Sequence, residues 1–284
     1  MKMQAVIALL GLALGPSAFA ATAPTTTSTS DVSTWQKLKD GPVSLSLLHE
    51  TGSSNKKGDF NGYSTLNIAY VGYKFNDNNS IKLENRFTTD TSRDKKGEEK
   101  TTSAYWARHV FSYTRSNILT EAENGVGLSA TLEGRYYSAH EEKASRKQQG
   151  FGRISANFAK TFGKLALSNT LYYANINRIS NIGGVADSYI YGVFVQSYSF
   201  TDKLSLGVTE ELFQDFRPGK NAKGKKGEVQ DFLVTVELGY QFTSDFSGWV
   251  STSTSIMTSH DGSTFIDSWH KNLNYNIGVS YTAF

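Results

Sequence analysis

From Val43 to the C-terminus the chain alternates apolar and polar side chains with a period of two, in one run after another. Ile81, Leu83 and Phe87 fall on one side of such a run, and Lys82, Glu84 and Arg86 on the other. Leu128, Ala130, Leu132, Gly134 and Tyr136 oppose Ser129, Thr131, Glu133, Arg135 and Tyr137. The stretch from Phe232 to Phe242 sets Val234, Val236, Leu238 and Tyr240 against Thr235, Glu237 and Gln241. Successive side chains of a strand point to opposite faces, so each run predicts a strand with one apolar and one polar face. Twelve runs fit: 43–51, 63–75, 80–90, 104–115, 126–138, 151–162, 165–177, 188–200, 204–214, 231–242, 246–256 and 269–284. Runs of about nine or ten residues match tilted strands crossing a bilayer. The expected fold is all-β, a transmembrane antiparallel up-and-down barrel of twelve strands.

The links between runs alternate in length. Short ones follow the second, sixth, eighth and tenth runs: Asn76 to Asn79, Gly163-Lys164, Thr201 to Lys203 and Thr243 to Asp245. Long polar ones span 52–62, 91–103, 139–150, 178–187, 215–230 and 257–268. Short periplasmic turns and long outer loops are the asymmetry of membrane barrels. The link Ser116 to Gly125 breaks the pattern, being longer than a tight turn and containing Ile118 and Leu119.

The N-terminus reads as a cleavable signal over residues 1–20. Lys2 is followed by the apolar run Ala5 to Leu14, the breakers Gly15-Pro16, and Ala18-Phe19-Ala20 in small-x-small form. That run is about half the length of a membrane-spanning helix. Residues 21–41 form a Thr/Ser-rich lead-in, within which Ser33 to Asp40 suits either a linker or a short helix stopped by Gly41-Pro42. Residues 42–284 form the barrel. Without Lys2 the mature chain carries 28 Lys plus Arg against 26 Asp plus Glu. This balance argues against nucleic-acid binding. The absence of cysteine removes disulfides, thiolate metal sites and a lipoprotein anchor.

Aromatic residues mark the end of each run before a short link: Tyr73 and Phe75, Phe162, Tyr198 and Phe200, Tyr240 and Phe242. Phe111 and Tyr113 precede the irregular link, and Tyr281 and Phe284 close the chain. Rings in these places suit a girdle at the periplasmic headgroup level. The repeat is about 40 residues long, which also suits propeller blades, but a blade needs four strands per repeat and each repeat here supplies two.

This pattern resembles the outer-membrane β-barrels of Gram-negative bacteria. In size it resembles twelve-stranded porin-like channels, such as the nucleoside-specific and acidic-oligosaccharide channels. Phe284 resembles the terminal Phe that the barrel-assembly machinery reads in this class. The apolar residues Val279 and Tyr281 are out of phase with it, so a bulge near Thr282-Ala283 is expected. The resemblance implies an outer-membrane location after cleavage near Ala20, contact with membrane lipid and lipopolysaccharide, small polar solutes as cargo, no cofactor, and a monomer rather than the trimer of larger porins.

Parity places Lys82, Glu84, Arg86, Arg108, Glu133, Arg135, Arg153, Glu211 and Glu237 inside the barrel. The reading is a charged pore for passive diffusion; the alternative is a structural or adhesion barrel whose interior charges pair and block it. Five cationic against four anionic groups give a slight lean to anions without deciding selectivity. Runs 165–177 and 188–200 read equally well in either phase. Glu210 falls in phase with Leu206, Val208 and Leu212, which predicts a bulge or a place near the rim. Lys160, between Phe158 and Phe162, is expected to snorkel at the periplasmic rim. The basic residues of 215–230 suit lipopolysaccharide phosphates or simple solvation.

No enzyme is expected. Barrel phospholipases carry a His-x-Ser-Asn-Gly stretch, and the nearest stretch here, His49-Glu50-Thr51-Gly52, lacks the serine. His260-Asp261 is a weak acid/base pair. No histidine pair has metal-ligand spacing, and no plug domain fits ahead of the barrel.

Overall fold

The computed structural model describes residues 41–56, 59–93, 99–138, 148–178, 188–216, 230–259 and 273–283. The signal, the lead-in as far as Asp40, Phe284 and most of the links 139–150, 178–187, 215–230 and 257–268 lie outside the described residues, whereas the stretches 52–62 and 91–103, expected as long links, are mostly strand.

Twelve antiparallel strands form one closed barrel: β1 (Val43–Lys56), β2 (Asp59–Asn76), β3 (Asn79–Arg93), β4 (Glu99–Leu119), β5 (Gly127–Tyr137), β6 (Gln148–Phe162), β7 (Leu165–Arg178), β8 (Ser188–Ser199), β9 (Leu204–Phe216), β10 (Gln230–Gln241), β11 (Phe246–Ser259) and β12 (Asn274–Thr282). Each strand pairs with its neighbours in sequence, and β1 closes on β12 from Ser46↔Thr282 to Ser54↔Asn274. Closure satisfies every ladder and leaves no edge, as a strand structure in lipid requires.

The turns follow from local chemistry. Thr201 Oγ1 accepts from the backbone N–H groups of Lys203 (3.2 Å) and Leu204 (3.0 Å). Thr243 repeats this with Asp245 (3.3 Å) and Phe246 (3.1 Å). Asn76 Oδ1 accepts from Asn78 N at 3.0 Å. Gly163 takes φ 58°, which the two-residue link between Phe162 and Leu165 needs. The irregular link resolves into an extension of β4, which shifts register between Arg115 and Leu119 with Asn117 at φ 51°, followed by the helical turn α1 (Glu121–Asn124).

The outer surface is the apolar one. Leu47, Val71, Leu83, Leu132, Ile154, Leu171, Leu212, Val250 and Ile277 point away from the barrel axis and stay exposed in the isolated chain. Tyr73, Phe75, Phe111, Tyr113, Phe162, Tyr198, Phe200, Tyr240, Phe242 and Tyr281 all face outward, near the short-link rim. Three recur as edge-on Tyr-x-Phe pairs: Tyr73–Phe75 at 5.1 Å, Tyr198–Phe200 at 5.3 Å and Tyr240–Phe242 at 5.0 Å between ring centroids. Lys160 Nζ lies 5.1 Å from the Phe162 ring centroid at the same rim.

Two local expectations are corrected. No bulge occurs in β12 through Ala283: Thr282 N donates to Asp245 O and Ala283 N to Leu45 O, both at 2.8 Å and both in the unshifted register. Glu210 is neither bulged nor at the rim. It pairs with Phe194 and Val234 in unshifted ladders, six residues into β9, on the lipid-facing side. The continuous pairing of β9 on both sides leaves no room for the extra residue that would turn Glu210 inward.

Candidate functional site: the charged lumen

Strand parity carries each of the nine expected charged residues to the inner face. Glu84, Arg86, Arg108, Arg135 and Glu211 are buried there, Arg153, Glu133 and Glu237 partly so, while Lys82 remains exposed. The structure brings the basic ones together on β3 to β6. Glu84 is ion-paired with Arg86, and Glu133 with Arg135. Arg153 Nη2 donates to the second oxygen of Glu133 at 2.6 Å. Arg86 and Arg108 are direct register partners. Like charges opposite one another in a ladder are unfavourable, so packing alone gives no reason for this choice.

The basic wall rests on aromatic rings. Lys82 Nζ lies 4.8 Å from the Tyr70 centroid, Arg135 Cζ 4.7 Å from Phe151, and Arg153 Cζ 4.3 Å from Tyr172. Phe151 and Tyr172 belong to an inner cluster with Tyr137, Tyr189, Tyr191 and Val193. Burial of Thr170, Tyr172 and Ala174, and of Tyr189, Tyr191 and Val193, settles the facing of β7 and β8.

The opposite arc is acidic. Glu211 and Asp215 on β9, Asp231 and Glu237 on β10, and Glu50 on β1 all face inward. Glu50, Asp215 and Asp231 were not among the expected lumen residues. With Asp90, which accepts from Tyr105 Oη at 2.6 Å, four acids that were not expected face inward, and Lys74 on β2 shares that face at the short-link rim. The slight excess of cations among the expected residues does not hold for the described inner face as a whole. Apart from Lys74 on β2, the described inward cations stand on β3 to β6, and the acids Glu211, Asp215, Asp231, Glu237 and Glu50 on β9, β10 and β1. Both carboxylate oxygens of Glu211 are buried without a hydrogen-bond partner among the described residues.

The closed twelve-strand barrel has counterparts among solved outer-membrane β-barrels. The chain superimposes on an outer-membrane channel from Pseudomonas putida F1 with a TM-score of 0.56 at 10% identity, covering 85% of this chain and 96% of that one. It superimposes on the NanC porin with a TM-score of 0.51 at 11% identity, covering 83% and 98%. At such identities the likeness speaks to architecture. No protein-family model and no curated protein sequence matches the chain.

Within the barrel the lumen is narrowed by its own side chains. Arg86, Ile68, Glu211 and Thr88 are sealed from water-sized contact by their neighbours. Beside Arg86, whose register partner is Ile68, the residues Leu48, Leu66, Ile68 and Trp249 form a second inner cluster. The described residues contain no group of three or more His, Asp or Glu placed to hold a metal.

Proposed function

We propose that the protein is a porin-like channel of the outer membrane that passes small hydrophilic solutes by diffusion. The observation that carries this reading is the separation of charge across the lumen, with Lys82, Arg86, Arg108, Arg135 and Arg153 on one arc and Glu50, Glu211, Asp215, Asp231 and Glu237 on the other. A transverse field of this kind orients polar solutes and ions and rejects apolar ones. Export through a signal cleaved near Ala20, insertion by the barrel-assembly machinery and contact of the outer loops with lipopolysaccharide complete the reading, with the monomer as the working unit. Liposome swelling tests it: proteoliposomes swell in small neutral sugars at rates that fall with solute size, and swelling no faster than in protein-free liposomes would overturn the reading.

The close packing around Arg86 favours a second reading, a barrel whose lumen is blocked and whose work lies in its loops. That reading predicts no swelling with any solute.

A further inference from the structure

The lipid-facing side of β1 and β2 carries a hydrogen-bonded chain of three polar side chains. His49 and Thr51 are two apart on one strand, so they share a face, and Asn67 is the register partner of His49. Thr51 Oγ1 lies 3.3 Å from His49 Nε2, and His49 Nδ1 lies 2.8 Å from Asn67 Oδ1. Asn67 Nδ2 donates to the backbone oxygen of Phe87 at 3.5 Å, which turns Oδ1 toward the imidazole. Nδ1 then carries the ring proton and donates it to Asn67, leaving the Nε2 lone pair to accept from the Thr51 hydroxyl. A hydroxyl, a neutral imidazole base and an orienting acceptor stand in the order that activates an alcohol for attack on an acyl carbon.

Mutual satisfaction of polar groups on an apolar face accounts for a His–Asn pair. His109 and Asn85 make such a pair on the same face at 2.6 Å, with the imidazole stacked between Trp106 and Tyr136. At His49 the far nitrogen also meets a hydroxyl, Thr51 Oγ1, which His109 has no counterpart for among the contacts of its pair with Asn85. The depth of the three residues points to their substrate. Tyr63 and Tyr73 face outward on β2 ten residues apart. At about 2.5 Å of rise per residue for a tilted strand they bracket a band of about 25 Å, the height of the apolar belt of such barrels. Thr51 pairs with Thr65, two residues below Tyr63, and so lies about 5 Å inside the belt at the long-link rim. Lipid ester bonds sit at that level. Leu47, Ile277 and Val279, beside His49 and Thr51 on the outer face, offer an apolar track for an acyl chain.

We propose that Thr51, His49 and Asn67 form an acyl-transfer site that hydrolyses carboxylic esters of membrane lipid in the leaflet at the long-link rim. Thr51 Oγ1 attacks the ester carbonyl carbon while His49 Nε2 takes the hydroxyl proton. The bond to the leaving alcohol breaks, and His49 returns the proton to it, leaving an acyl ester on Thr51. Water, deprotonated by His49, cleaves that ester, releases the carboxylic acid and restores the hydroxyl. Asn67 is a positioning residue that holds the imidazole tautomer. The donor for the oxyanion is not among these three.

The test uses full-length protein folded in detergent micelles. Hexadecylsulfonyl fluoride is expected to form an adduct that peptide mapping places on Thr51. Fatty acid is expected to be released from micelles of a diacyl glycerophospholipid or of purified lipid A, the two arms naming the lipid. T51V and H49F lose both signals, T51S keeps both, and N67A lowers kcat about 10-fold or more with KM unchanged. N85A, at the second His–Asn pair, behaves as wild type. Absence of both adduct and release in wild type and T51S, with the barrel folded by heat-modifiable migration, overturns the proposal, as does release by T51V at the wild-type rate. T51V is expected to conduct as wild type, so the outcome here is separate from that of the channel reading.

Discussion

Trp249 on β11 donates its indole N–H to Glu50 on β1 at 3.2 Å, reaching across β12 inside the barrel. The path is open because the residue between them in the ladder is Gly278, partner of both Trp249 and Glu50. A side chain at that position would collide with the indole ring. The contact therefore ties the last two strands to the first at the seam where the barrel closes.

Replacing Gly278 by valine should expel Trp249 from its seat and separate it from Glu50. The expected cost is about 1–3 kcal/mol, the range for overpacking a close-packed interior. Urea unfolding in detergent micelles, followed by Trp fluorescence, measures it; an unchanged midpoint would show that the seam does not depend on this contact.

The two walls of the lumen should act in opposite directions. Neutralising the basic arc with R86Q and R135Q together moves the reversal potential in a salt gradient toward cations. Neutralising the acidic arc with D215N and D231N moves it toward anions. Unchanged reversal potentials in both variants would remove these residues from the conducting path.

Glu210 faces lipid between Phe194 and Val234. An acid at that depth costs barrel stability, though less than the 2–4 kcal/mol of a midplane Lys or Arg. E210L should therefore be more stable than wild type by about 1 kcal/mol in lipid bilayers. A loss of stability would mean that the carboxylate has a partner in the membrane.

Much of the barrel was legible because lipid enforces the alternation. β3, β5, β6, β9 and β10 lie close to the runs read from the sequence. Where lipid imposes nothing, the signal stops: β1 continues from Thr51 to Lys56, a stretch with no apolar residue in its sequence, and β4 starts at Glu99, well before its apolar run. The facing of β7 and β8 was ambiguous because Tyr172, Tyr189 and Tyr191 point inward while Asn169 and Gln196 point outward. An aromatic lumen wall inverts the rule that polar means inside.

The same inversion hid Glu50, which shares its inner face with the apolar Leu48. Asp215 and Asp231 stood at the edges of a charged link, where parity has no anchor. The spacing of His49 and Thr51 on one face was visible in the sequence. Their alignment with Asn67 was not, because it depends on the register of β1 with β2.

The central claim is that this lumen conducts. Planar-bilayer recording of the purified, refolded full-length protein tests it most directly. The account predicts discrete conductance steps in potassium chloride. Silence across a wide voltage range, from protein shown to be folded and inserted, would contradict it.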